Sequence, residues 1–157
     1  MRWLWISAAI VVLDQYSKVL VDSALELHRS IELLPSLAIR KIYNSGAAFS
    51  FLSDASGWQR WFFITLALLV VAVLTAWLYR LQKNQRRMAL ALSLVLGGAV
   101  GNLIDRVFYG HVIDFIDVYY ASWHWPTFNI ADSAITIGAA LLLLDALTVY
   151  KKDRPGE

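Results

Sequence analysis

Two carboxylates in this chain lack an obvious basic neighbour. Asp114 lies in the β-branched and aromatic stretch VIDFIDVYY (112–120), and Asp132 opens a long apolar run. Eighteen positions separate them, and the turn-rich stretch between can fold back to bring them together. Two carboxylates at close range do not both ionise cheaply. One keeps a proton, and the pair titrates with two apparent pKa values. The charged member takes a proton from water and the neutral one donates to a carbonyl oxygen, so the chemistry needs no metal and no cofactor. At a helix start Asp132 gains from the helix dipole, which favours it as the charged member. Asp117 is the decoy. It follows Asp114 by three, so on a strand the two point to opposite faces.

Competing chemistries fit less well. Ser17 and Lys18 are adjacent, and neighbours in sequence do not face each other on a helix. Tyr43-Asn44-Ser45-Gly46 is not a nucleophile elbow. His28, His111 and His124 show no metal-ligand spacing and read as ordinary loop residues. With no cysteine, thiolate chemistry and disulfides are excluded.

The elements that position these groups follow from composition. The 157 residues are 59% hydrophobic and 17% charged, against roughly 45–50% and 25% in soluble domains. That excludes disorder and argues against a water-soluble enzyme of this size. A net charge of +2 is too small to imply nucleic acid. Four apolar runs, at about 3–21, 61–79, 88–106 and 132–150, are each long enough for a helix to cross a ~30 Å hydrocarbon core. The first is expected to stay in the protein rather than leave as a signal peptide. No small-residue cleavage site follows it, and Asp14 and Lys18 interrupt its end. Arg80, Lys83, Arg86 and Arg87 crowd one short loop, and Lys151, Lys152 and Arg154 follow the last run. The positive-inside rule puts both termini and that loop in the cytoplasm, with segments 22–60 and 107–131 outside.

The intramembrane polar groups share one depth. From Trp3, Asp14 lies roughly 16 Å along the first span and Lys18 roughly 22 Å. Asn102, Asp105 and Arg106 close the third span, and Asp132 opens the fourth. All fall near the outer boundary, where Asn44 and Asp114 arrive from the outer segments. Asp14 and Lys18, four apart with the acid first, read foremost as a buried ion pair that orients the span. Gly98, Asn102 and Arg106 form a second i, i+4 stripe. Arg106 reads as a partner for Asp105, as a donor to a substrate carbonyl, or as a snorkelling cation. Gly97 and Gly101 would let another helix approach closely. Asp145, roughly 20 Å deeper than Asp132, reads as an inner-boundary residue without a role. The inner halves are nearly clean, with no acidic or basic side chain in 3–13, 61–79, 88–101 or 133–144, which counts against a transporter. A proton flux dependent on Asp14 would favour one, and a glycine-rich scaffold without turnover is the other alternative.

The outer segments carry strand signals. Leu37 to Tyr43 alternate, and 112–120 follow the turn-like Gly110, so a small outward sheet is expected. AAFSFLS (47–53) reads as a short interfacial helix. Segment 107–131 is rich in aromatics and has no Lys or Arg, which suits contact with lipid headgroups or ordinary strand packing. The organisation is a single membrane domain over 1–157.

DQYSK (14–18), NSGAAFSF (44–51), GNLIDRVFYGHVIDF (101–115) and FNIADSAI (128–135), in this order and span context, resemble bacterial lipoprotein signal peptidase (signal peptidase II). The resemblance implies a mainly α membrane protein, with four transmembrane helices and an outward β-rich cradle. It implies an aspartic endopeptidase of the bacterial inner membrane, active toward the periplasm and needing no cofactor or metal. Such an enzyme cuts diacylglyceryl-modified prolipoproteins before the lipid-bearing cysteine, with membrane lipid as its other partner and no nucleic acid, and is expected to act as a monomer. The family's catalytic residues fall on Asp114 and Asp132. Its supporting residues fall on Asp14, Lys18, Asn44, Gly46, Gly98, Asn102, Arg106, Asn129 and Ala131.

Overall fold

The computed structural model describes residues 3–46 and 57–152. The expected helix at 47–53 falls outside the described residues. Four long helices carry the chain: α1 (Leu4–Ala24), α2 (Trp58–Arg80), α3 (Arg86–Phe108) and α4 (Ile130–Lys152). All four are long and apolar enough to cross a membrane. Their outward faces carry Trp5, Val12, Leu13, Trp61, Leu68, Leu69, Leu143 and Leu144, all exposed. Apolar surface on that scale fits lipid and not water.

α3 is central and packs on each of the other helices. Its glycines are what permit this. A Cβ on Gly97 would meet Ile10 Cβ at 2.8 Å and the Ser7 carbonyl at 2.9 Å, so Gly97 is the contact with α1. A Cβ on Gly98 would run into the Ala131 carbonyl, so Gly98 is the contact with α4. α2 is the outlier. Only Gln59, Ile64 and Leu74 are buried along it; Val70, Val71 and Leu78 are half-buried against the core, and most of the other side chains are exposed. Its start needs Gly57, whose φ of 94° is left-handed.

A four-stranded antiparallel sheet sits at one end of the bundle, in the order β1 (Ser30–Leu34), β2 (Leu37–Asn44), β3 (Val112–Tyr120), β4 (Trp123–His124). The β2–β3 register pairs Ile42 with Asp114 and Ala38 with Asp117, with an irregularity between Ile39 and Ile42. Charged side chains lock sheet to helix and helix to helix. Lys41 Nζ donates to the Asp22 and Leu25 carbonyls at 2.8 and 2.9 Å, closing the end of α1. Arg60, from α2, donates to the Arg106 and Val107 carbonyls at 3.0 and 2.8 Å, closing the end of α3. Both place a cation at the negative pole of a helix. At the opposite end Leu74, Leu92 and Leu96 form the core, and Ser7 Oγ donates to the Ser93 carbonyl at 2.8 Å.

Candidate active site

Asp114 sits on β3 and Asp132 in the first turn of α4. The residue before α4, Asn129, is bonded to both. Its Nδ2 donates to Asp114 Oδ1 at 2.7 Å, and its backbone N–H donates to Asp132 Oδ2 at 3.3 Å. Asn129 Oδ1 in turn accepts the Asp132 N–H at 2.9 Å. The exchange between Asn129 and Asp132 is a capping box, in which an acid three residues past the cap folds back on it. It satisfies a free N–H at the start of α4 and fixes the Asp132 side chain there.

Each remaining carboxylate oxygen has its own amide. Asn44 Nδ2 donates to Asp114 Oδ2 at 3.0 Å, and Asn102 Nδ2 donates to Asp132 Oδ1 at 2.7 Å. Asn44 Oδ1 accepts the Gly46 N–H at 3.0 Å, which holds the chain end of β2 in a turn. A carboxylate oxygen has two lone pairs, so each keeps capacity for water or substrate. Burial first, and the negative charge of Asp132 second, push the Asp114 carboxyl up to about 7, against the lowering effect of its two amides and of Lys18.

Both aspartates line a cleft of about 950 Å³. Ile42, Val112, Trp125, Phe128, Ile135 and Ile137 give it apolar walls, and Arg106 is among its polar lining residues. Arg106 does not pair with Asp105, as one reading of the sequence had it. Nη1 and Nη2 donate to the Asn102 and Gly46 carbonyls at 3.3 and 3.2 Å, and the guanidinium lies 5.1 Å from the centre of the Phe63 ring. Among the described residues its Nε is a buried donor without a partner.

Asp105 belongs instead to Lys18. Lys18 Nζ is 2.8 Å from Asp14 Oδ2, 2.9 Å from Asp105 Oδ2 and 3.0 Å from Asn102 Oδ1. The expected Asp14–Lys18 pair is thus a trio, and sequence reasoning missed its third member. Helical spacing relates positions on one helix only, and this contact crosses from α1 to α3. Gly101 makes room for it, since a Cβ there would come within 2.6 Å of Asp14 Oδ2. Ala131 is fully buried between the helices, and its N–H donates to Asp14 Oδ1 at 2.9 Å.

Asp117 is buried, and both of its oxygens face His124 Nδ1, at 2.9 and 3.0 Å. His124 also stacks on Tyr119. It is therefore a built part of the β3–β4 hairpin rather than an ordinary loop residue. Among the described residues no group of three or more His, Asp or Glu side chains is arranged to hold a metal ion.

The sequence and the fold both have known relatives. The family described as signal peptidase (SPase) II matches residues 6–148. The chain belongs to that family. It is an aspartic peptidase family, and the chain is accordingly an enzyme of lipoprotein maturation. The lipoprotein signal peptidase of Pseudomonas fluorescens (strain Pf0-1) is 51% identical over 159 residues, covering 100% of this chain and 92% of that protein. The one from Pseudoalteromonas translucida is 53% identical over 146 residues, covering 93% and 88%. A bacterial membrane enzyme solved by the in meso method at 2.3 Å superposes with a TM-score of 0.88 at 32% identity, covering 99% of this chain and 93% of that one. The fold class expected from the sequence, membrane-spanning helices with a small β cradle, is the one observed.

Proposed function

We propose that this signal peptidase II cleaves diacylglyceryl-modified prolipoproteins before the lipid-bearing cysteine, with Asp114 and Asp132 activating one water. The observation that carries the reading is Asn129, a single residue hydrogen-bonded to both carboxylates. It ties a strand and a helix, their acids eighteen positions apart, to one point in the cleft.

The charged aspartate takes a proton from water as its oxygen attacks the scissile carbonyl carbon. The neutral one donates its proton to the carbonyl oxygen. Collapse of the tetrahedral intermediate breaks the C–N bond, and a proton returns to the leaving amine. Asp114, with its carboxyl pushed up to about 7, suits the neutral role, and Asp132 at the head of α4 the charged one. Asn44, Asn102 and Asn129 hold the two carboxylates in place. Arg106, which lines the cleft, is a donor for a substrate carbonyl. Gly98 and Ala131 keep α3 and α4 close enough for Asn102 to reach Asp132.

The substrate's acyl chains stay in the bilayer and fix the depth of the scissile bond. The enzyme then lies in the inner membrane as a monomer, with its termini in the cytoplasm and its sheet in the periplasm. The cationic loop after α2 and the cation-free 107–131 segment support that orientation. The test is incubation of the purified enzyme in detergent with a lipid-modified precursor. The released product is expected on a gel and by mass at the bond before the modified cysteine, with no effect of chelator. No cleavage, or cleavage elsewhere, refutes the reading.

A further inference from the structure

The reaction described above leaves a buried ion trio without a task. Asp14, Lys18 and Asp105 are between 0% and 1% exposed. The ammonium of Lys18 has three protons and faces three acceptors, Asp14, Asp105 and Asn102, within 3.0 Å. Each carboxylate then does a second thing. Asp14 Oδ1 accepts the N–H of Ala131, the residue before Asp132. Asp105 Oδ2 accepts the N–H of Ile113 at 3.1 Å, the residue before Asp114. Gln15 Nε2 donates to Asp105 Oδ1 at 2.8 Å and to Asp14 Oδ2 at 3.2 Å, closing the ring.

Lys18 acts on the site a second way. It only donates, so it draws Asn102 Oδ1 toward itself. That turns Nδ2 of the same amide onto Asp132 Oδ1.

We propose that Lys18 and Asp105, with Asp14, are positioning residues for peptide hydrolysis: one buried ion trio sets the relative placement of both catalytic aspartates by holding the backbone beside each. The proposal rests on the two-aspartate reading. Apolar helix contacts can slide by fractions of an ångström at little cost. A buried, fully satisfied ion network has one good arrangement, because any shift leaves a charge unpaired in a low-dielectric surrounding. The trio touches α1, α3, β3 and the head of α4, so it fixes the elements that carry the two acids.

The test measures kcat and KM separately on a lipid-modified precursor, with the folded fraction and unfolding midpoint of each variant. Asp105→Asn keeps the shape and an acceptor for Ile113, and removes the charge. It is expected to lower kcat about 10–100-fold with KM unchanged within about twofold. Lys18→Met is expected to do the same. In a cycle of Lys18→Met with Asn102→Ala, the combined loss should fall well short of the product of the single losses, because Lys18 works through Asn102. If Lys18→Met does not fold, the cycle is read with Asp105→Asn in its place. Full kcat per folded molecule in Asp105→Asn, even with a lowered unfolding midpoint, overturns the proposal. So do losses that simply multiply. Failure of the two-aspartate reading shows elsewhere, as retained turnover in Asp114→Asn or Asp132→Asn.

Discussion

The two ends of the helix bundle solve opposite problems. At the sheet end, the helices stop sliding because acids, amides and one lysine interlock across α1, α3, α4 and β3. At the other end they are held by shape: Leu74, Leu92 and Leu96 pack against Leu4, Val70 and Leu78, and the described polar contact between helices is Ser7 to the Ser93 carbonyl. The difference separates stability from chemistry along one axis. Apolar packing between helices in lipid brings no transfer from water and rests on close contact alone. Polar groups are costly there and are retained where they act.

If that division holds, damage at the two ends should be of different kinds. The largest effect belongs to the acids: Asp114→Asn and Asp132→Asn should each cut turnover of a lipid-modified precursor by about 10³-fold or more, with normal insertion and folding. Next come the amides. Asn129→Ala frees both carboxylates at once, and should cost about 10²-fold in kcat, more than Asn44→Ala, which frees one.

The pH dependence sharpens the contrast. The Asp114 carboxyl is raised in the folded protein from 3.8 to about 7, so the fold binds an extra proton between those values. Its contribution to stability is complete below 3.8 and lost as pH rises through about 7. Turnover that uses the neutral form should decline over the same alkaline limb. Asp114→Asn should flatten the stability profile measured across about pH 5–8. A variant at the other end should leave it unchanged.

Smaller effects test the packed end. Leu92→Ala should lower the unfolding free energy by about 2 kcal/mol, near the bottom of the range for such truncations, because lipid rather than water is the alternative solvent. Turnover per folded molecule should not change. Asp117→Asn weakens the pairing with His124 and should loosen the β3–β4 hairpin with little loss of kcat. Asp145→Asn, at the far end, should be silent in both assays.

Much of this was legible in the residues alone. Runs of about twenty apolar residues announce the helices, and the alternation in Leu37–Asn44 and the β-branched run at Val112–Tyr120 announce two strands. β1 was not legible, because every residue in Ser30–Leu34 is exposed and leaves no two-sided pattern. The two-residue β4 is too short for any periodicity. For the site, depth and spacing brought Asp114 and Asp132 forward, and the family resemblance pointed to Asn44, Asn102 and Asn129. Spacing along a helix could pair Asp14 with Lys18 but could not reach across to Asp105. Nor could it show that Arg106 would turn from its neighbour Asp105 to the Gly46 carbonyl. Contacts between elements are set by how glycines let helices close, and that is a property of the assembled bundle.

The central claim is that the two acids share one water. It is tested most directly by an experimental structure of the enzyme with an uncleavable lipid-modified peptide in the cleft. The account predicts one water, or the substrate oxygen that replaces it, within about 3 Å of a carboxyl oxygen from Asp114 and of another from Asp132. A scissile carbonyl seated against other side chains, with the two carboxyls facing separate waters, would contradict it.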